Sequence, residues 1–293
     1  MGKSREIKKR MKAVGNIKRI TRTMQMIATS KFAKAQAAAT DTKPYTAALF
    51  DLVAQLGEAA EGVDHPLLGE PKGDAPELTL LITSDRGLCG PYNSSIVREA
   101  LRYLRNTPKA MQGRVEAVGK KGASVLKFNG VTLGAHHTQF GDKPRFEDVE
   151  RLAAEYVERF SAGEVSAVRV VYMKFLSAGR QKPEILQLLP FARPEGAGST
   201  DKSAGALKPL YEFSPDAEQL LDHLLPAAVK AQLFQCFNDA VVSEHVARMV
   251  AMKAATDNAG KMGHNLKRKY NRARQSQITT ELTEIISGAA ALE

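Results

Sequence analysis

Apolar residues near the start of the chain recur with the period of a helix. Ile7, Met11, Val14, Ile17, Ile20, Met24 and Ile27 are spaced by 4, 3, 3, 3, 4 and 3, which places them in one stripe. Between Ser4 and about Thr40 there is no proline and only one glycine, Gly15, and Ala, Lys, Arg, Met, Gln and Ile dominate; these are good or fair helix formers. Pro44 is expected to bend or interrupt this helix, since it lacks the backbone donor and its ring crowds the preceding turn. The helical pattern resumes in LFDLVAQLGEA, and the Gly- and Pro-rich EGVDHPLLGEPKGDAPE reads as a linker.

A different pattern follows. Leu78 to Ser84 is a continuous apolar and β-branched run bounded by turn formers, the mark of a buried strand. A Gly-rich turn and a helix in SSIVREALRYLRN come next. Val115 to Gly119 reads as a second strand, GASVLKF as a short helix, Val131 to Thr138 as a third strand, and Phe146 to Phe160 as a helix with one polar face. This alternation predicts a Rossmann-like α/β domain over 76–192, with a partly parallel sheet covered by helices. Ala167 to Leu176 and Glu184 to Phe191 predict an antiparallel hairpin at its edge, joined through SAGRQKP. Residues 193–213 are poor in apolar groups and are expected to form a mobile loop.

Ser214 is suited to cap a helix with Pro215 at its first position, and Pro226 to begin a second, longer one. From Ala227 to Ser287 there is no proline, and the only glycines are Gly260 and Gly263. A helix over that span would be about 90 Å long at 1.5 Å per residue. No small domain hides such a length, so it is expected to pair with the N-terminal helix in a long antiparallel coiled coil. The predicted organisation is a discontinuous shaft, 1–60 with 214–293, around the α/β domain.

Composition sharpens this picture. The 293 residues are 43% hydrophobic, enough to bury a core. No run approaches the roughly 20 apolar residues of a membrane span, and MGKSREIKKRMK lacks the apolar centre of a signal peptide, so a cytoplasmic location is expected. Cys89 and Cys236 stand alone, without the spacing of a disulfide framework or zinc site. The net charge of +10 is concentrated near the ends. Residues 1–36 carry eleven Lys and Arg against Glu6 alone, and 261–274 add six with no acid, leaving the remainder at −6. If the termini pair, both basic runs lie on one surface. Such a surface is either a solvated helix face or a seat for an acidic partner: nucleic acid, anionic lipid or acidic protein loops.

Candidate chemistry is sparse. The turn SDRGLCGPYNSS, Ser84 to Ser95, joins strand to helix and contains Gly87 and Gly90, which invites a phosphate reading. It lacks both the Lys-Ser/Thr ending of a P-loop and the three-glycine dinucleotide spacing. A structural or interface turn is the favoured reading. His136, His137, His223, His245 and His264 are too scattered to name a partner that would make Cys89 a catalytic thiol. Neither catalytic residues, a metal site nor a cofactor site is assigned.

Five segments occurring in order carry a resemblance: REIKKRMKAVGNIKRITRTMQMIATSKFAKAQ, SDRGLCG, SEHVARMVAMKAATDNAG, YNRARQSQIT and ELTEIISGAAAL. Together they resemble the gamma subunits of F-type ATP synthases over nearly the whole chain. The resemblance implies a non-catalytic central-stalk rotor. Its coiled coil would turn inside a ring of alpha and beta subunits, its α/β domain would bear on the epsilon subunit and the membrane c-ring, and ion flow would be coupled to ATP synthesis or hydrolysis by rotation. It places the complex at the cytoplasmic face of the bacterial plasma membrane, with this subunit peripheral. It also implies site residues: Arg274 and Gln275 facing an acidic beta-subunit loop, Met24 near another beta-subunit loop, and Tyr211 with Glu212 beside c-ring loops. Ile285 and Ile286, with Ala289 to Leu292, would run in an apolar bearing. Met24 is equally readable as a coiled-coil residue. Two departures stand out: Pro91 and Tyr92 occupy positions where the family usually has Gly and Phe, and KMGHNLKRK, Lys261 to Lys269, is unusually basic. Two other readings remain: a basic coiled coil that binds nucleic acid, disfavoured because Phe32 and Tyr270 are the only aromatics for stacking in the basic segments, and a nucleotide-dependent enzyme built on the α/β domain.

Overall fold

Each strand and helix grows from its local pattern. The computed structural model describes residues 2–59, 65–68, 73–191 and 217–290. Their order is α1 (Gly2–Ala59), β1 (Leu78–Ile82), α2 (Tyr92–Asn106), α3 (Pro108–Met111), β2 (Arg114–Val118) and α4 (Lys120–Phe128), followed by β3 (Leu133–His137), α5 (Phe146–Ser161), β4 (Val168–Ser177), β5 (Arg180–Leu189) and α6 (Ala217–Ala290). The chain divides into two compact units, one formed by Met1–Ser30 with Arg248–Glu293 and the other by Lys31–Ala247. The division falls inside α1 and α6.

The larger unit is a five-stranded sheet in the order β3-β2-β1-β4-β5. β1 is parallel to β2 and β4, β2 is parallel to β3, and β5 closes the edge antiparallel to β4. The fold is thus the expected Rossmann-like α/β domain with terminal helices. Because side chains alternate across a strand, β1 feeds two cores. Leu78, Leu80 and Ile82 pack with Val149, Leu152 and Tyr156 of α5 and with Leu225, Val229 and Phe237 of α6, while Leu81 points to the other face, among Ile96 of α2 and Leu126 of α4. The hairpin is longer than expected. Pairing reaches Ser177 and Arg180, and Gln181 Nε2 donates to the carbonyls of Ser177 and Ala178, so most of SAGRQKP belongs to strand rather than loop.

Two expectations about proline are corrected. Pro44 lies inside α1 and Pro226 inside α6, and neither interrupts its helix. A proline removes one donor and crowds one turn; packing on both sides outweighs this. Ala39, Leu49 and Val53 are buried around Pro44, and Leu221, Leu225, Ala228 and Val229 around Pro226. Thr42 and Thr46 also return hydroxyl hydrogen bonds to carbonyls one turn back. Ser214, Pro215 and the 193–213 segment lie outside the described residues.

The smaller unit is an antiparallel helix pair, shown by two contacts far apart along it. Ser4 Oγ donates to Gln277 Oε1 at 2.9 Å, and Thr256 Oγ1 donates to Thr21 Oγ1 at 2.8 Å. On α6 a run of protected positions passes through Met252, Thr256, Ala259, Gly263, Leu266, Tyr270, Ala273 and Gln277, with Ala251, Ala255 and Gly260 half-buried beside it. That alternation of 4 and 3 is the heptad spacing of a coiled coil.

Candidate partner interface

On α1 the seam runs through Ile7, Met11, Val14, Thr21, Gln25 and Ala28, all buried or half-buried. This corrects the single stripe expected from sequence. Ile17, Ile20 and Ile27 are 51%, 57% and 51% exposed, because the seam passes one position beyond them, through Thr21 and Ala28. Small side chains let two helices approach closely, and the threonine hydroxyls bond to each other across the seam. The isoleucines are left as a second apolar line on an adjoining face. Met24 sits between the two lines, half-buried.

Arg274 and Gln275 are both exposed on α6. At about 100° per residue, Arg274 lies at the shoulder of the seam defined by Ala273 and Gln277, and Gln275 on the side away from it. Helical periodicity lets Ile278 and Leu282 resume an apolar stripe beyond Gln275, but they do not rejoin that seam and are half exposed. The reason is geometric. Ser4 of α1 lies opposite Gln277, and α6 continues beyond that point to Ala290. Ile285 and Ile286, on that continuation, are 72% and 59% exposed. Tyr211 and Glu212 lie outside the described residues.

The Gly-rich turn is held by its own side chains. Asn93 Oδ1 accepts from the Ser84 amide at 3.1 Å, Ser84 Oγ donates to the Arg86 carbonyl at 2.8 Å, and Asp85 Oδ1 accepts from the Lys120 amide at 3.0 Å at the start of α4. Leu88 adopts φ 66°, the left-handed region, at the exposed apex. Over the carboxyl ends of β1 and β2, where an open α/β sheet takes its ligand, Phe237, Ala240 and Glu244 of α6 leave a cavity of about 20 Å³. That volume suits about one water, whereas ligand pockets run to roughly 300 Å³ or more. Tyr92, one of the two departures, spans this junction: its buried hydroxyl donates to the Ala240 carbonyl at 3.0 Å, and burial and the nearby Glu244 carboxylate hold its pKa well above the ordinary value.

One buried network gave no sequence signal. Glu116 on β2, fully buried, accepts from His137 Nε2 at 2.8 Å, Tyr156 Oη at 2.8 Å and Arg114 Nε at 2.7 Å. Burial opposes ionisation, but these hydrogen bonds outweigh it and hold the carboxyl pKa at about 2. Arg114 shares the Glu116 face of β2 through local strand period, whereas His137 is brought to it by the register of β2 and β3, which no local pattern encodes. Among the described residues no group of three or more His, Cys, Asp or Glu side chains is placed to hold a metal, and no helix is long and apolar enough to cross a membrane.

Comparison with known proteins gives a consistent result. A family model described as ATP synthase matches residues 3–292. The ATP synthase gamma chain of Rhodopirellula baltica is 41% identical over the full length of both chains, and that of Leptospira biflexa is 38% identical, also over the full length of both. Among solved structures, a chain of the Euglena gracilis mitochondrial ATP synthase OSCP/F1/c-ring assembly has a TM-score of 0.63 at 19% identity, covering 99% of this chain and 95% of that one. A chain of the Tetrahymena thermophila mitochondrial ATP synthase central stalk and c-ring has a TM-score of 0.58 at 20% identity, covering 80% and 99%. These two likenesses show the shared fold.

Proposed function

The chain belongs to the ATP synthase gamma-chain family, and from that premise we propose that it is the central-stalk rotor, a non-catalytic subunit that couples ion flow through a c-ring to ATP synthesis or hydrolysis in a surrounding alpha/beta ring. It works within the ATP synthase complex. The observation that carries this reading is the division of labour along α6: up to Gln277 the helix satisfies a seam with α1, and beyond it exposes Ile278, Leu282, Ile285 and Ile286. An apolar surface with few directional bonds suits a bearing that must slip at each step. The partners proposed are alpha and beta subunits around the helix pair, with the epsilon subunit and c-ring on the α/β domain. The complex is proposed to sit on the cytoplasmic face of the bacterial plasma membrane. The nucleic-acid alternative finds no support in the relatives.

A rotor needs contacts that are specific and releasable. Exposed ion pairs are worth about 0 to 1 kcal/mol, so they steer register without locking it. Arg274, exposed beside the seam, can fork onto a carboxylate of a beta-subunit loop while Gln275 bonds to that loop's backbone. Met24 and the isoleucine line beside it supply an apolar counterpart for a second beta-subunit loop. Tyr211 and Glu212 are assigned to c-ring loops on the family resemblance. The test is ATP synthesis by the reconstituted complex carrying Arg274→Glu or Arg274→Lys. Glu places like charges together and should impair synthesis far more than Lys, with assembly retained in both. Parent-level activity of the Glu variant would remove Arg274 from the coupling contact.

A further inference from the structure

On the sheet face opposite α5 and α6, α2 and α4 enclose a groove of about 710 Å³ that the rotor reading does not use. Val97 and Leu101 of α2 and Val125 of α4 give it an apolar floor. Arg98, Arg102 and Arg105 stand along one edge, and Lys121 lies across from them. Apolar exposure continues along α4, where Val125 is 42% and Phe128 91% exposed. Together the two helices carry six cations and a single carboxylate, Glu99, which is bonded to Arg102. Among the described residues, Arg98 and Arg105 have no ion-pair partner.

From this geometry we infer that the α2/α4 groove is a docking site for an acidic amphipathic helix of a partner protein. The arginines recur at spacings of 4 and 3, a straight row of about 10 Å on one helix face. A helix laid along the groove presents carboxylates at the same interval, and its apolar stripe meets Val97, Leu101 and Val125. A lone phosphate calls for cations that converge, whereas these are in line. The exposed acidic and apolar end of α6, with Glu281 and Glu284 beside Ile278 and Leu282, is taken up by the bearing proposed above, so a second copy of this chain is not the occupant. The charge row sets register and orientation, and the apolar floor and Phe128 supply buried area.

The test uses the purified full chain and a labelled 16-residue helical peptide bearing leucines at 4-3 spacing flanked by a row of glutamates. The same peptide with lysines, inorganic phosphate and phosphatidylglycerol vesicles serve as comparators. The glutamate peptide should bind saturably, and at least tenfold more tightly than the lysine peptide. Arg98→Glu with Arg105→Glu should weaken it tenfold or more, and Val125→Glu should do so independently. Arg10→Glu with Arg19→Glu, in the other basic region, should change it less than twofold, which separates docking here from adsorption to the basic helix pair. Equal binding of the two peptides, insensitivity to the groove variants, or competition by phosphate or vesicles at matched charge would overturn the proposal. The variants lie on exposed helix faces, and unchanged circular dichroism and thermal midpoint establish that they fold.

Discussion

The ionisation of the buried Glu116 carboxyl is set by the side chains that donate to it. Its folded pKa of about 2 lies below the ordinary 4.5, so the stabilisation is fully present above about pH 4.5 and is lost as pH falls through about 2. The difference corresponds to roughly 3 kcal/mol at neutral pH. Glu116→Gln should therefore destabilise the protein by about that amount at pH 7, with the gap to the parent closing as pH approaches 2, as chemical denaturation over that range will show. A constant gap at all pH values would mean that the carboxylate charge is irrelevant. Tyr92 makes a smaller, separable contribution. Tyr92→Phe removes the hydroxyl that donates to Ala240, and since that carbonyl also belongs to a helix ladder the cost should be about 1 kcal/mol, read from the denaturation midpoint. Glu116 carried no signal in the sequence, and Tyr92 stood out there only as a departure from the family pattern. A buried glutamate on an otherwise apolar strand looks like an outward-facing polar position until its neighbours in space are known.

Helices and strands were the most legible level. Alternating apolar runs and helical stripes located β1 to β5 and α2, α4 and α5, because local side-chain period is what defines an element. Continuity through Pro44 and Pro226 was not legible, since tertiary packing decides whether a proline breaks a helix. Gly263 offers a test of the same balance. It lies inside α6, and a methyl group added there meets nothing within 4 Å. The opposing Gly15 is equally open, and the two help to leave a groove of about 240 Å³ between the helices. Gly263→Ala should thus raise thermal stability by about 1 kcal/mol through backbone entropy alone. Loss of stability would mean that the glycine is needed for close approach of the helices.

For the molecule as a rotor, the seam of the helix pair must be internal to the moving part. Thr21 and Thr256, whose hydroxyl oxygens are 2.8 Å apart, provide the probe. In a Thr21→Cys/Thr256→Cys variant the sulfurs fall within reach of a disulfide after small side-chain adjustment. Oxidation should link α1 to α6 and raise the thermal midpoint, while ATP hydrolysis by the reconstituted complex stays within about twofold of the reduced form. A cysteine at position 274 linked to a beta subunit should instead stop turnover. If the internal disulfide also stopped it, α1 and α6 would have to move against each other during the cycle.

The sequence by itself determined the α/β class, the two long terminal helices, the concentration of positive charge at the ends and, through five ordered segments, the family. These properties are local or compositional, and each is carried by residues close together in the chain. Only the tertiary structure decided which face of α1 is the seam, that Thr21 and Ala28 rather than Ile17, Ile20 and Ile27 meet α6, and that the apolar end of α6 lies beyond the contact of Gln277 with Ser4. It also joined Glu116 to His137 and Tyr156, and set the arginine row of α2 beside α4. Periodicity fixes which residues share a helix face, but the register between two helices or two strands depends on side-chain sizes and hydrogen bonds from both partners at once.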